Sequence, residues 1–441
     1  MDLFFPPQTW PLLHVFAPCF TAPSFVYFRA YVWALMVVEG RKCMTRLARC
    51  AFFHPRDLSS WERFLAAHRW SLTAVTARLI TLGVATLGNQ LQVHGAYWLG
   101  TDTTLVAKTA TRMVGVQKWK DHRDNADRGA SLVGHHWNLV GLISPWGTRW
   151  LGWPLVMRLV PGLQGARPGL VGDAVTPMSF WDAAMAALLE VTRGLEAAAV
   201  RVVADAFYSK APCLNGLRAR GIDVISRLRK DAVGWDDPEP QPPGKRGRKP
   251  RYGRKWPLAT LVTAETPTRD RLPLYRKLTE VVFVVRDGWR RDVAQKGRVV
   301  VLEGAKEPLI LVRTDLALSA LQIIEISGAR CSRELTIRDL KQPFGLGDYQ
   351  CTTTLALLRF VPLACLALCV WRLALLEHLE AGWLQVTSAR VSLPEAPLSC
   401  QRVRRALRAW ATRQIILANA TPGADVEKIA RDHEPLLHML M

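Results

Sequence analysis

Three acidic residues stand where the chain could assemble a metal site. Asp102 and Asp205 each follow an apolar, strand-like run, and Glu334 lies on a later helical segment. Because strand ends in an α/β sheet meet at a common edge, the side chains placed there can converge. Converging carboxylates suit Mg²⁺, which prefers oxygen ligands and keeps waters for phosphate groups. Two such ions would make phosphodiester cleavage and strand transfer accessible.

Spacing alone does not select these three acids. Acids at strand ends are common turn residues. Asp173, Asp182 and Asp223 are also available in the same part of the chain. The choice among them needs further information.

The charged segment from Arg330 to Lys341 is predicted to belong to one helix that extends back to Ser327. The segment up to Asp339 contains a single glycine, and a proline and a glycine that follow it supply the stop. At about 100° per residue, Arg330, Glu334, Arg338 and Lys341 share one face. A solvated surface helix with i,i+4 ion pairs has this pattern. A helix that presents one carboxylate to a metal and its cations to phosphate has it too.

The composition indicates a folded protein with a polyanionic partner. With 441 residues and 49% hydrophobic residues, the chain can bury a large core in two or three domains. Its 58 Lys and Arg outnumber 37 Asp and Glu, which gives a net charge of +21. Such an excess favours nucleic acid or an acidic membrane surface. Nine irregularly spaced cysteines indicate core thiols in a reducing compartment.

One segment, residues 352–379, raises the question of a membrane span. Its longest uncharged run, Phe360 to Trp371, contains Pro362 and is shorter than the ~20 apolar residues that a span needs. The apolar N-terminus lacks a basic region and is broken at Pro6 and Pro7, which argues against a signal peptide. We therefore expect a buried helix and a cytoplasmic, nucleoid-associated chain without a membrane partner.

The periodicity of apolar residues divides the chain into three regions. Residues 1–92 are predicted to be a helical DNA-binding region. The basic residues Arg41, Lys42, Arg46 and Arg49 suit an edge for DNA, and a solvated face is equally compatible with them. Residues 93–350 are predicted to begin with three strands, followed by a helix that starts at Thr176 and Pro177. A strand, a helix and a further strand come next, and the helix of Glu334 is the last element. Residues 351–441 are predicted to be helical, with a second basic surface at Arg402, Arg404, Arg405, Arg408 and Arg413.

The middle region contains an insertion at about 231–320. It opens with a proline-rich run, and three strand-like runs near its end predict a small β-rich subdomain. Between them lies a cationic stretch that we interpret as a phosphate-binding loop, with the residues Lys245, Arg246, Arg248 and Lys249. Lys249 interrupts what would otherwise be a Gly-Arg-Pro hook for the minor groove.

Three local sequences resemble bacterial insertion-sequence transposases of the DDE type. They are Gly100 to Thr104, Val202 to Ser209, and Arg330 to Gln350. The closest branch carries a Tyr-x2-Arg-x3-Glu-x6-Lys signature around its catalytic glutamate. The resemblance spans about residues 95–350. It implies a ribonuclease-H-like α/β core with a mixed five-stranded sheet and a β-rich insertion before the last catalytic helix.

The resemblance also implies site residues and partners. It makes Asp102, Asp205 and Glu334 the catalytic ligands of two Mg²⁺ ions, with Mn²⁺ as an alternative. Arg330 and Lys341 match the phosphate-contacting cations of the signature, and Arg338 shares their helix face. The implied protein is a cut-and-paste transposase that binds the terminal inverted repeats of its element and target DNA as a homodimer.

Ser327 departs from that signature, which has a tyrosine at this position. Serine can bond a phosphate but cannot stack on a base. This departure supports a second hypothesis, a catalytically inactive DNA-binding protein derived from a transposase.

Overall fold

The fold is α/β, with one large mixed β-sheet and helices packed against it. The computed structural model describes residues 9–50, 57–109, 113–120, 131–146, 149–160, 167–171, 174–178, 180–195, 199–240, 249–274, 277–304, 306–381, 404–405 and 407–411. The predicted N-terminal helices are present as α1 Thr9–His14, α2 Ala22–Val37, α3 Met44–Cys50, α4 Leu58–Ala66 and α5 Leu72–Leu87. The side chains of Thr21, Asp57 and Ser71 cap α2, α4 and α5.

Five strands form the centre of the sheet, in the spatial order β5-β4-β2-β8-β9. The elements of this region are β1 Gln92–Val93, β2 Ala96–Ala107, β3 Gln117–Lys120, β4 Ser131–Trp146, β5 Arg149–Leu159, β6 Arg167–Val171, β7 Ala174–Met178, α6 Phe180–Arg193, β8 Val200–Ala204, α7 Ala211–Arg218 and β9 Asp223–Arg227. β4 is antiparallel to both β2 and β5, whereas β8 is parallel to β2 and β9 is parallel to β8. This mixed sheet confirms the predicted fold class.

The predicted start of the first helix of the middle region was wrong. Thr176 and Pro177 lie in β7, where they pair with Gly169 and Pro168 of β6, and α6 begins only at Phe180. Thr176 and Pro177 are suitable residues for a helix start, but here the pairing of the β6–β7 hairpin takes precedence over local capping preference.

The insertion extends the central sheet. Its elements are β10 Val233–Trp235, β11 Lys255–Pro257, α8 Leu261–Ala264, β12 Thr268–Leu274, β13 Lys277–Gly288, β14 Gly297–Leu302 and β15 Leu309–Arg313. The insertion is β-rich as predicted, but β15 pairs antiparallel with β9, so the described sheet has eleven strands instead of five. Because β9 would otherwise be an exposed edge strand, this pairing satisfies its free backbone groups.

The charged helix and the helix before it are separate elements. α9 spans Ala320–Ala329 and α10 spans Cys331–Lys341, so the single helix predicted from Ser327 is interrupted at Arg330. Around this junction, Arg330 N–H donates to Ser327 O and Arg333 N–H donates to Arg330 O. These are i to i+3 bonds, tighter than those of an α-helix. Ser327 therefore lies in α9, and Glu334 lies in the first turn of α10.

The long apolar helix α11, Thr354–Ala381, packs inside the protein. Two segments are long and apolar enough to cross a membrane, Thr354–Ala374 and Leu72–Leu91. In the first segment, 89% of the apolar window is buried inside the protein, as in the core helix of a folded domain. This confirms the predicted buried helix. The second is 39% buried, with exposed Arg78 and Thr81 on its outer face. Neither segment is clear evidence of a membrane protein.

Several cations predicted on basic surfaces are buried. Arg404 and Arg408 donate through Nε to the carbonyl oxygens of Met36 and Val37, at the C-terminal end of α2. Lys42 is also buried and donates to the next carbonyl oxygen, that of Val38. Because the last carbonyls of a helix have no partner within it, these cations satisfy and neutralise the helix terminus. Arg405 is exposed, and Arg402 and Arg413 lie outside the described residues.

Candidate active site

Asp102 and Asp205 lie near each other where the pairing of β2 with β8 ends. β2 and β8 are adjacent parallel strands whose last paired residues are Gly100 and Val203. Asp102 lies two residues after Gly100 but within β2, which continues to Ala107 because it stays paired with β4, so the prediction that its strand ends on this acid was wrong. Asp205 lies two residues after Val203 and directly follows the end of β8. The Asp102 side chain is 15% exposed. The predicted convergence of these two acids is therefore present.

The Asp205 side chain is fixed by a backbone hydrogen bond, and its pKa is influenced by Asp102. Its Oδ1 atom accepts a hydrogen bond from Phe207 N–H at 3.0 Å and caps the short 3₁₀ turn Ala206–Ser209. Burial and then the charge of Asp102 raise the pKa of Asp205, while the Phe207 N–H and Arg330 act in the opposite direction. Two carboxylates that repel each other in a partly buried place fit a divalent cation, since a bound ion would relieve the repulsion.

Glu334 is connected to this pair through Arg330. The Arg330 guanidinium lies 3.7 Å from Asp102 Oδ2 and 3.5 Å from Glu334 Oε1, with Arg330 20% and Glu334 63% exposed. In the part of the chain that the structure describes, no three His, Cys, Asp or Glu side chains form a group able to hold a metal ion. The structure thus unites the two aspartates and places Glu334 beside them behind an intervening cation.

A buried network on the other face joins the turn after Asp205 to the Asp102 strand. Asn138 of β4 accepts hydrogen bonds through Oδ1 from Tyr208 at 2.7 Å and from Thr101 at 3.0 Å. Tyr208 belongs to the turn that Asp205 caps, and Thr101 precedes Asp102. Neighbouring residues of a strand point to opposite faces of the sheet. The network therefore supports Asp102 and Asp205 from the opposite face. The sequence analysis did not identify Asn138 or Tyr208.

The predicted phosphate-binding cations differ in accessibility. Arg338 and Lys249 are exposed. Lys341 is half-buried, and its Nζ atom donates to the carbonyl oxygen of Leu105 on β2 at 2.8 Å. Three further predicted cations lie outside the described residues: Lys245, Arg246 and Arg248.

Arg333 is the main site-adjacent residue that the sequence analysis missed. It is fully buried between α10 and the sheet. On a helical wheel it falls on the arc of Ile337 and Leu340 instead of the arc of Glu334. The position of this cation on the apolar arc of the helix could have indicated that Arg333 is buried.

Comparison with known families gives one match. The family model described as DDE superfamily endonuclease matches residues 15–291. The matched range includes Asp102 and Asp205 and ends before Glu334. A search of the curated proteins found no match.

Proposed function

The chain belongs to the DDE superfamily endonucleases, and we propose that it is a transposase that cuts DNA at the ends of an insertion sequence and joins them to a target. The observation that carries this proposal is that Asp102 and Asp205 lie near each other just beyond the paired part of the adjacent parallel strands β2 and β8. A cut-and-paste route is the route that we propose for the movement of the element.

We assign the metal-binding role to Asp102, Asp205 and Glu334. The first two would hold Mg²⁺, or Mn²⁺ in its place, and Glu334 would complete the ligand set from α10. Two bound ions would activate a water or a 3′-hydroxyl and stabilise the leaving oxygen. The protein holds the two aspartates together before any ion arrives, by the Asp205 cap and the Asn138 hydrogen bonds.

The cations of α10 are proposed to position the DNA backbone. Arg330 stands next to the acids, and Arg338 projects from the same helix into solvent. A guanidinium can bind phosphate through two parallel hydrogen bonds. Lys341 is also proposed to contact phosphate, with its Nζ atom held near β2 by the bond to Leu105 O. Lys245, Arg246, Arg248 and Lys249 of the insertion are proposed to bind phosphates further from the scissile bond.

Double-stranded DNA is the proposed partner, as terminal inverted repeats and as target. The net charge of +21 supports a polyanionic partner. We propose a homodimer on DNA, because two element ends are processed together, and a location at the bacterial nucleoid. The signature branch with Tyr-Arg-Glu-Lys is part of this proposal, with Ser327 as its exception.

The alternative is a DNA-binding protein with this fold and no catalysis. Ser327 favours it, because a half-buried serine in α9 replaces an aromatic residue that could stack on a base. Glu334, 63% exposed and separated from Asp102 by Arg330, also favours it.

Cleavage of DNA that carries the borders of the reading frame tests the proposal. Purified protein is incubated with such a duplex in Mg²⁺, in Mn²⁺ or in EDTA. We expect metal-dependent breaks at the borders and none in an unrelated duplex. Specific binding to the borders without breaks in either metal would establish the alternative. The presence of inverted repeats flanked by a short target duplication in the genomic DNA would support a mobile element independently.

A further inference from the structure

Arg333 connects the helix of Glu334 to the strand that pairs with Asp102. Its guanidinium donates to Leu139 O at 2.9 Å and to Gly141 O at 3.0 Å, both on β4. Leu139 is the strand partner of Asp102, and Gly141 is the partner of Gly100. One side chain therefore spans from α10 to the backbone directly beside Asp102.

The sheet is shaped to receive this side chain. A Cβ atom at Gly100 would lie 2.7 Å from Arg333 Cδ and 2.7 Å from Ile143 Cδ1, so a larger residue would crowd the arginine where it crosses β2. The pairing of β4 with β5 is irregular between Val140 and Gly141. A bulge of this kind disrupts the regular ladder and leaves acceptor capacity on nearby carbonyls. On β5, a Cβ atom at Gly152 would lie 2.6 Å from Thr336 Oγ1, so α10 is also close to the sheet there.

Fold stability alone does not explain an arginine at this place. Arg333 is fully buried, with 0% of its surface exposed. A guanidinium stays charged in proteins, so its desolvation is costly. An apolar residue of similar volume would pack in such a core with less desolvation. What an apolar residue could not do is hold α10 at a fixed position by two hydrogen bonds and place a positive charge behind Asp102.

We propose that Arg333 is a positioning residue for the acid site: it fixes α10 to the Leu139–Gly141 backbone, so that Glu334 and Arg330 face Asp102. Arg333 does not reach the reacting atoms, and it acts through the residues on either side of it on the helix. This inference rests on the proposed metal-binding role of the aspartates. It adds a residue that fixes where the third acid stands.

Arg333→Met tests the proposal against a matched control. Methionine keeps most of the volume and removes both hydrogen bonds and the charge. The control is Arg359→Met, since Arg359 on α11 is also buried and donates to the carbonyl oxygens of Leu65, His68 and Trp70. Two further variants cover a failure to fold: Arg333→Lys can restore one hydrogen bond and the charge, and Gly100→Ala displaces Arg333 while leaving it in the chain.

Two readouts on the full-length protein separate positioning from general stability. Hydrogen exchange of residues 331–341 reports how firmly α10 is held, and titration with Mn²⁺ reports the acid site. We expect Arg333→Met to speed exchange in α10 and to weaken Mn²⁺ binding at least about tenfold, because the displacement of Glu334 should outweigh the gain from removing one positive charge near Asp102. Gly100→Ala should change both in the same direction and Arg333→Lys by less. Arg359→Met should leave Mn²⁺ binding unchanged, and any faster exchange that it causes should be general instead of confined to α10.

The proposal is overturned if Arg333→Met and Arg359→Met have the same Mn²⁺ affinity and the same exchange in α10. A wild-type protein that binds no Mn²⁺ would instead count against the proposed function. In that case the exchange of residues 331–341 still decides whether Arg333 holds the helix in place.

Discussion

The guanidinium of Arg330 lies 3.7 Å from the carboxylate of Asp102 and is shared with Glu334, at 3.5 Å. It is the only cation paired with Asp102 in the described part of the chain. In the absence of metal, this side chain offsets part of the negative charge at the acid edge. Its charge also counteracts the rise in the pKa of Asp205.

We expect Arg330→Gln to tighten Mn²⁺ binding about threefold to tenfold in the absence of DNA. A unit charge a few ångströms from a partly exposed ion is worth on the order of 1 kcal/mol. The same variant should lose DNA cleavage at least about tenfold, because it removes the proposed phosphate contact. Arg338→Gln on the same helix is the control for metal affinity, which isothermal titration measures. Equal Mn²⁺ affinities for the two variants would show that Arg330 does not influence the cation site.

Asp205→Asn should stabilise the metal-free protein. The pKa of Asp205 is raised in the folded state, so the protein loses stability as pH rises from the unfolded pKa through the folded one. Above the folded pKa that penalty is present, and asparagine removes it while keeping an oxygen to cap the turn. We expect an increase of about 1 kcal/mol in the free energy of unfolding by urea, and no further increase on addition of Mn²⁺. If the variant is less stable than the wild type, the ionised carboxylate of Asp205 stabilises the folded protein, which contradicts the raised pKa.

Lys42→Met should change how stability depends on pH. Burial, followed by the charge of Arg404, lowers the pKa of Lys42 to about 7 from 10.5. Between these values the unfolded chain binds a proton that the folded protein does not, so this residue makes stability rise with pH. Urea unfolding at pH 7 and pH 9 should show a gain for the wild type that exceeds the gain for Lys42→Met by on the order of 2 kcal/mol. Parallel changes in the two proteins would refute the lowered pKa.

Arg338→Gln and Lys341→Gln should affect different properties. Arg338 is exposed, so its removal should reduce the dependence of log K on log salt by about 0.9 for one phosphate contact. Lys341 donates to Leu105 O, so its removal should also cost about 1 kcal/mol of stability. Fluorescence anisotropy over a salt series and urea unfolding measure the two effects. If Lys341→Gln keeps the stability of the wild type, the bond to Leu105 contributes nothing.

The order of elements along the core could be predicted because each element carries its own local pattern. Apolar runs before Asp102 and Asp205 indicate two strands, and the parallel pairing of these strands in the structure brings the acids near each other. The continuation of the sheet into the insertion could not be predicted in this way. The pairing of β15 with β9 depends on which edges remain free in the folded chain, and no local pattern encodes it.

Buried cations were the other element that sequence reasoning missed. A charge count treats every arginine as solvated, so Arg404 and Arg408 were assigned to a basic surface. Their true place follows from the end of α2, where carbonyl oxygens need donors from elsewhere in the chain. Arg333 has the same character, and it was recognisable only by its position on the apolar arc of α10. The net charge of +21 therefore overstates the charge available to DNA.

The proposed metal-binding role of the three acids is tested directly by DNA cleavage assays on single variants. Asp102→Asn, Asp205→Asn and Glu334→Gln are each compared with the wild type on a duplex that carries the element borders, in Mg²⁺ and in Mn²⁺. We predict that all three variants bind the borders with wild-type affinity and that none cleaves them. Cleavage by the Glu334→Gln protein would remove Glu334 from the site, and cleavage by either aspartate variant would contradict the site itself.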